Sequence, residues 1–574
     1  MAWHVKKKVK KNIITERTMD VIACLLIMLL VVPYLLNFDV PYLNTDEFGY
    51  WGSASFFAGY DWSSIIATNS YFSYGYGFIL ALLLICIKNS VICFKATIIL
   101  NAFFLMGLYL ILKRIFSCLV DGINYGYRCS FCLIATLYCA MVTYAGMSLP
   151  ECLLAFLFAL NIYLLLLFFQ KPSWGKGVGI LVLSLYMYTV HQRTIVFFAM
   201  NILFVVGYLL KNSKGEMKKA IIKILSLLVI FCLLYVGTSM LKTLVQSNVW
   251  LISASDGEVI VGNDFSGQIG KIKFLFSIEG ITEFIYSFCG RIFYFITSTY
   301  GLIILFFVNA VRSLLDKDEA AVVKFFNLYL LLSITGAIVV SCVFLIKPTN
   351  TTYLFYGRYC DNIAPVIVLA TCLSLKKVSK EIVAAGILVI NLLGIILNNR
   401  ILNVALTFQN TSISHVAMST YYVNEELNVL AVGLFIALTL SAGIVFIKKG
   451  RKIGAAVFGA IYLLSSIRVG YQAVDIFYID DILYNIEQIV EIAYDIKDRD
   501  IEELNVLVTD GETPGKYDKY GKIIQFINPE LVIHLSAEMP EKGEYYVAHI
   551  GKGPEYSQIT VLMENGGYIL GICE

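Results

Sequence analysis

Long runs without a charged side chain, separated by short polar or basic connectors, dominate the chain up to about residue 470. The runs are 21–38, 62–87, 96–112, 129–150, 152–170, 177–192, 194–210, 224–241, 292–311, 325–346, 362–375, 382–399, 427–447 and 453–467. An ionised side chain at the bilayer centre costs several kcal/mol, so each run is a candidate membrane-spanning helix. One run differs. Within 62–87, polar and aromatic residues fill the stretch from Trp62 to Tyr76, leaving only Gly77 to Ile87 continuously apolar. So short a piece is more often interfacial or re-entrant than spanning.

From about Tyr471 the pattern changes. Asp475, Asp480, Asp481, Glu487, Glu491 and Asp495 interleave with apolar residues at helical spacing, which predicts an amphipathic helix. Short β-like runs follow at Leu504–Thr509, Leu531–Leu535, Tyr545–Ile550, Ile559–Met563 and Tyr568–Ile572, divided by turn signals such as Asp510-Gly511, Pro514-Gly515 and Gly566-Gly567. The division expected is a transmembrane domain at 1–470 and a small α/β domain at 471–574.

Composition strengthens the membrane reading: 59% of residues are hydrophobic and 15% charged, with mean hydropathy +0.76. Such a chain cannot cover itself with polar groups, so lipid is its solvent. A net charge of +3 offers nothing to a nucleic acid, and none is expected as partner. The 14 cysteines lie mostly inside apolar runs. The lone Cys129-x-x-Cys132 pair reads as buried small hydrophobes.

Positive charge selects the topology, since Lys and Arg collect in cytoplasmic loops. Omitting 62–87 leaves 13 spans, with 26 Lys and Arg on the cytoplasmic side, 11 at external loops or membrane edges and 7 in the C-terminal region. Counting 62–87 as a span gives 17 inside and 20 outside, with that region excluded. The expectation is an all-α polytopic cell-membrane protein with about 13 transmembrane helices, a cytoplasmic N-terminus and an external C-terminal domain. The basic stretch from Lys6 to Lys11 before the first run reads as an uncleaved signal anchor, because no small-x-small cleavage site follows. Long external segments are expected at about 39–95 and 242–291.

No Walker A, Rossmann glycine fingerprint or His-Glu-x-x-His is present. The stretch that stands out is Asn44-Thr45-Asp46-Glu47-Phe48-Gly49-Tyr50-Trp51-Gly52, just past the outer end of the first span, with aromatics continuing through Tyr71, Tyr74 and Tyr76. By itself it also fits a solvated loop start plus an interfacial aromatic belt. Two further stretches fall on the same side: Met147-Ser148-Leu149-Pro150-Glu151, and Tyr356-Gly357-Arg358-Tyr359 followed by Pro365. The order and common side of these motifs resemble the GT-C superfamily of membrane glycosyltransferases, which includes the aminoarabinose transferase and protein mannosyltransferase groups and the oligosaccharyltransferase catalytic subunits. The likeness covers about 1–470.

The resemblance implies a hexosyl- or pentosyltransferase that moves a sugar from a polyprenyl-phosphate donor to a cell-surface glycan, lipid or protein on the external face. Asp46, or its neighbour Glu47, would be the base, and Arg358 would hold the donor phosphate; Arg193, in the hairpin between spans five and six, and Arg291, near the outer end of span eight, are further candidate phosphate contacts by position alone. Tyr50, Tyr74, Tyr76, Glu151, His191, Tyr356 and Tyr359 would bind substrate. Asp46 and Glu151 are the ligands for a divalent metal ion, should one take part. One departure is clear. The aminoarabinose transferase branch carries Glu-Lys-Pro before its interfacial helix, whereas here the corresponding stretch is Tyr71-Phe72-Ser73-Tyr74-Gly75-Tyr76, without charge. Substrate and metal details do not carry over from that branch.

Elementary chemistry points the same way. A sugar transferred outside the cell cannot come from a cytoplasmic nucleotide sugar, so its donor is lipid-bound. An arginine fork suits a departing phosphate, and a rim aspartate suits an acceptor hydroxyl. The bland alternatives are a helix N-terminal carboxylate for Glu151, a polar turn with a snorkelling arginine at His191-Gln192-Arg193, and solvated loop charges for Asp264, Glu279 and Glu283. The rival classes are a transporter or lipid-linked sugar flippase and a polysaccharide polymerase or ligase. A flippase would need ionisable groups near the midplane, where the runs have none.

Overall fold

The computed structural model describes residues 13–43, 45–67, 71–120, 122–213, 216–251, 268–375, 379–408, 412–424, 426–481, 486–507, 519–536, 540–549 and 559–574. Helices make most of it. The first span is α1 (Ile13–Leu30) continued by α2 (Val32–Asn37), joined where Pro33 enters as an early helical residue that needs no backbone donor. The first loop holds α3 (Thr45–Ala58), α4 (Ser63–Ile66) and α5 (Gly77–Cys86). At 10 residues α5 is roughly 15 Å long, about half of a hydrocarbon core.

The bundle continues with α6 (Ser90–Leu119), α7 (Tyr125–Thr136), α8 (Cys139–Ala145), α9 (Glu151–Gln170), α10 (Trp174–Val190), α11 (Ile195–Lys211) and α12 (Met217–Val249). Then come α13 (Gln268–Phe274), α14 (Ile278–Ser298), α15 (Leu302–Leu315), α16 (Ala321–Phe344), α17 (Thr351–Leu354), α18 (Arg358–Asp361), α19 (Ala364–Ser374), α20 (Lys380–Val404) and α21 (Val429–Asp481). Side-chain caps start several of them: Asn89 accepts from Ile92 N–H at 3.0 Å, and Ser277 from Gly280 N–H at 2.9 Å.

Among the described residues, eight helices are long and apolar enough to cross a membrane, or ten if each bent pair counts as one span. Three shorter apolar helices, Gly77–Cys86, Ala364–Ser374 and Val429–Val445, accompany them. Two expected spans are not straight. The run 129–150 is α7 and α8, bent by 63°. The run 292–311 is the end of α14 and the start of α15, bent by 107° at Tyr300 and Gly301, whose φ values of 49° and 83° no helix can hold. Within the segment expected at 242–291, α12 runs on to Val249 and α14 starts at Ile278. By contrast, α21 is two limbs: the Phe458 ring lies against Gly443 with no room for a Cβ, although 15 residues of straight helix would separate them by about 22 Å.

The tiny hairpin β1 (Tyr422–Val423) and β2 (Glu426–Leu427) stands apart from the C-terminal sheet. That sheet contains β3 (Glu503–Leu507), β4 (Val532–Ser536), β5 (Tyr545–His549), β6 (Ile559–Asn565) and β7 (Tyr568–Cys573) in the order β4-β3-β5-β7-β6. All five expected strands form. The residues expected in one amphipathic helix are divided: Asp475, Asp480 and Asp481 fall in α21, and Glu487, Glu491 and Asp495 in α22 (Ile486–Asp498), while α23 (Lys519–Ile527) is a helix not expected from the sequence. It is required: β3 and β4 are parallel neighbours, and parallel neighbours need a crossover between them. The change of pattern at Tyr471 falls inside α21, which stays helical to Asp481.

The sheet region packs on the first loop. The Trp51 ring meets Phe526 edge-on at 5.0 Å, and Trp62 Nε1 donates to Pro529 O at 2.9 Å. Ser90 Oγ donates to Ile527 O at 3.1 Å, and the Lys522 ammonium lies 5.6 Å from the Phe48 ring. Phe526, Trp51 and Phe48 are fully buried, so α23 is a brace under α3. Phe526→Ala is expected to cost about 3–5 kcal/mol of local stability. Limited proteolysis should then release the C-terminal region, and unchanged protection would show that the brace lies elsewhere.

Candidate active site

Four segments far apart in sequence meet at one rim of the bundle. Asp46 and Glu47 lie in the first turn of α3, where the helix dipole favours carboxylates. Glu151 opens α9 after Pro150, His191-Gln192-Arg193 form the turn between α10 and α11, and Arg358 opens α18. Gly357 is required just before it, because the Tyr294 ring occupies the space a Cβ would take.

Arg358 is the hub. Its Nε donates to Glu151 Oε1 at 2.6 Å and its Nη1 pairs with Asp46 Oδ2. The same Glu151 oxygen accepts from Arg193 Nη2 at 3.1 Å. Charges therefore alternate along the chain Asp46, Arg358, Glu151, Arg193. Three of the four side chains are at most 2% exposed, whereas Asp46 is 29% exposed and forms the open end. Asp46 and Arg358 meet although 312 positions separate them in sequence.

Several donors in this cluster are left over. Arg358 Nη2, Arg193 Nε and Arg193 Nη1 are buried without a hydrogen-bond partner among the described residues, as are the hydroxyls of Tyr50 and Tyr76. Buried polar groups are nearly always paired, so five unpaired donors in one place mark a seat for a group they would hold. Tyr50 and Tyr76 meet edge-to-face at 5.6 Å. The Tyr359 ring carries the Arg193 guanidinium at 5.2 Å, His191 at 5.5 Å and Tyr356 at 5.0 Å. His191 Nδ1 accepts from Arg193 N–H at 3.3 Å, which sets the turn.

Glu47 sits differently from Asp46. Fully buried, it accepts from Ser148 N–H at 2.6 Å and from Leu43 N–H at 2.9 Å, tying α3 to the loop before α9. Its geometry is that of a positioning carboxylate rather than a base facing substrate. Burial pushes its pKa from 4.5 up to about 7, against the pull of those N–H groups and of Arg358. A carboxyl raised in this way stabilises the fold fully below pH about 4.5, and that stabilisation is lost as pH rises through about 7. Melting temperature is therefore expected to fall between about pH 5 and about pH 7.5 by more in the native chain than in Glu47→Gln. Equal slopes would assign the pH dependence to other groups.

Asp361, not singled out from sequence, closes the arrangement from behind. It is fully buried and accepts from the hydroxyls of Tyr138 at 2.8 Å, Tyr144 at 3.0 Å and Tyr294 at 3.1 Å, which anchors α18 and hence Arg358. The available signal was a carboxylate three residues after Arg358 in an apolar setting.

Other expected residues lie apart. Arg291 spends its donors on Ser341 Oγ at 2.8 Å, Ser341 O at 3.2 Å and Ser287 O at 2.9 Å, so it stitches α14 to α16 and presents no fork to a phosphate. The Tyr74 hydroxyl donates to Thr238 O at 2.8 Å, away from the arginines. Glu279 pairs with Lys347 at 2.7 Å and Glu283 with Arg400 at 2.5 Å, while Asp264 lies outside the described residues. Cys129 and Cys132 are buried free thiols.

Asp46 and Glu151 do not fit a shared divalent ion as arranged, because the Arg358 guanidinium stands between them and takes an oxygen of each. Among the described residues no group of three or more His, Cys, Asp or Glu side chains is placed to hold a metal.

No protein-family model and no curated protein matches the sequence. Solved structures do resemble the fold. ArnT from Cupriavidus metallidurans matches in its apo state with TM-score 0.47, and bound to undecaprenyl phosphate with TM-score 0.48, each at 11% identity over 97% of both chains. The archaeal oligosaccharyltransferase AglB from Archaeoglobus fulgidus, in complex with an inhibitory peptide and a dolichol-phosphate, matches with TM-score 0.44 at 10% identity, over 90% of this chain and 64% of its own.

Proposed function

We propose that this chain is a membrane glycosyltransferase that moves a sugar from a polyprenyl-phosphate donor to a cell-envelope acceptor on the external face. Asp46 acts as the base, and Arg358 with Arg193 receives the donor phosphate. The observation that carries the reading is the set of unpaired guanidinium donors, Arg358 Nη2 with Arg193 Nε and Nη1, beside one partly exposed carboxylate. The donor class is the one implied by the resemblance of the sequence motifs.

The chemistry follows from these groups. An acceptor hydroxyl at the rim gives its proton to an Asp46 oxygen while its own oxygen bonds to the anomeric carbon. The bond from that carbon to the phosphate oxygen breaks, its electron pair goes to the phosphate, and polyprenyl phosphate leaves with one more negative charge. Charge thus develops where the two arginines stand, and donors already oriented in a dry site need no reorganisation as it appears. Before donor binds, Arg358 holds Asp46 as an ion pair. An arriving phosphate competes for Arg358 and frees an Asp46 oxygen to face the acceptor hydroxyl. Glu151 stays on both arginines throughout and fixes their spacing.

The direct test is turnover of a small panel of polyprenyl-phosphate monosaccharides by the purified full chain in detergent, read as release of polyprenyl phosphate. Because Arg358 occupies the place between Asp46 and Glu151, no step is routed through a metal. Chelation with EDTA is expected to leave the rate unchanged, and a loss restored by a divalent ion would overturn that arrangement. Failure to turn over any lipid-linked sugar would overturn the transferase reading.

A further inference from the structure

A second polar space lies next to the arginine cluster. It is a cavity of about 180 Å³ between residues 71–74 of the first loop, the end of α10, Gln192 and one face of α12. Taking about 30 Å³ per liquid water, it holds roughly six waters, close to the bulk of one pyranose ring. Each of its twelve lining residues carries a hydrogen-bonding group: four tyrosines, five serines or threonines, two glutamines and a lysine. In a chain that is 59% hydrophobic such a lining is a concentrated exception.

Its walls are tied together. Gly75 N–H donates to Thr189 O at 2.7 Å, and the Tyr74 hydroxyl to Thr238 O at 2.8 Å. On α12 the lining positions Tyr235, Ser239, Lys242, Thr243 and Gln246 recur at helical spacing and form one stripe. Gln192 is 4% exposed, and its Oε1 lacks a partner among the described residues. The next residue is Arg193, so whatever fills the cavity lies one residue from the proposed phosphate contact.

The lining chemistry selects the ligand class. Only one residue of the lining, Lys242, is charged, and its ammonium already lies 5.7 Å from the Tyr71 ring. No arginine fork is present, so phosphate is better served by the neighbouring cluster. The hydroxyls of Tyr74, Thr189, Thr238 and Thr243 donate to backbone carbonyls and keep lone pairs to accept, so the lining is rich in acceptors. Set among tyrosine rings, that suits the hydroxyl donors of a neutral polyhydroxylated ring whose C–H faces lie on aromatics. We propose that this cavity is a carbohydrate subsite that seats one uncharged sugar, belonging either to the donor or to the acceptor. Its purpose depends on the transferase reading, while its binding test does not.

Trp250 supplies the readout, since its ring packs edge-on to Tyr71 at 5.1 Å. The purified full chain is titrated with methyl glycosides of glucose, galactose, mannose and N-acetylglucosamine while tryptophan fluorescence is followed, with Trp250→Phe as signal control. At least one glycoside is expected to bind with a signal that Trp250→Phe loses. Ser239→Leu, which fills the cavity, should weaken it about 10-fold or more. Ser239→Ala, which does not, should stay within about threefold.

With a polyprenyl-phosphate hexose, a raised KM for donor hydrolysis in Ser239→Leu assigns the cavity to the donor sugar. A raised KM for a glycoside acceptor alone assigns it to the acceptor. If no glycoside binds, or a folded Ser239→Leu binds as the native chain does, the proposal is wrong. Sugar binding without turnover of any lipid-linked sugar would keep the subsite and sink the transferase reading instead.

Discussion

Asp46→Asn is expected to lower sugar transfer by about 10² or more, the usual scale of a general-base contribution, while donor affinity is kept or rises because the competing charge on Arg358 is gone. The amide keeps the shape of the carboxylate and can still accept from Arg358, so the hub is not dismantled. What it loses is the charged oxygen that takes the acceptor proton. Arg358 remains fixed by Glu151 at 2.6 Å, and the phosphate seat survives. Glu47→Gln should be milder in rate, because Glu47 spends both oxygens on backbone N–H groups. A rim carboxylate that merely faces water would tolerate amide replacement within a few tenths of a kcal/mol. Near-normal transfer by Asp46→Asn would therefore remove Asp46 as the base.

Glu151→Gln should have the largest effect on the protein itself. One Glu151 oxygen serves two buried guanidinium groups, and the three side chains are almost completely shielded from water. Removing the shared anion leaves two cations facing each other in a low dielectric. Breaking a buried pair by taking away one partner costs about 3–5 kcal/mol. Melting temperature should drop sharply, and donor affinity should fall with it because the arginines lose their spacing. The double variant Glu151→Gln with Arg193→Met should be less destabilised than the sum of its parts, since it removes one of the stranded charges. Strict additivity would mean that Glu151 and Arg193 do not act as a pair.

Much of this architecture is legible in the sequence because lipid is an unforgiving solvent. Uncharged runs mark helices, and the run that looked too short to span, 62–87, holds among its described residues only the short helices α4 and α5. Strand alternation and glycine turns mark all five strands of the C-terminal sheet. Other features depend on geometry that hydropathy does not register. The corner at Tyr300 and Gly301 lies inside an apolar run, so only its backbone angles reveal it. Arg291 and Arg358 look alike in sequence; the first is consumed by Ser341 and Ser287, the second keeps a donor spare. Asp46 and Glu47 are adjacent, yet successive helix positions point about 100° apart, and only one reaches Arg358. The crossover helix α23 was readable in principle, since Tyr520, Ile523, Ile524 and Ile527 follow helical spacing.

The seating of α23 against α3 also bears on how the protein is made. The hydrogen bond from Trp62 to Pro529 joins residues 467 positions apart. At a synthesis rate of about 5–20 residues per second, the two partners emerge from the ribosome roughly 20 to 90 s apart. Throughout that interval the aromatic underside of the helix bearing Asp46 has no cover, although the spans that deliver Glu151 and Arg358 are already in the bilayer. The cover over Phe48 and Trp51 is thus added after those spans. Docking of α23 is therefore a late, long-range step of folding, and a chain halted before it would leave Phe48 and Trp51 bare.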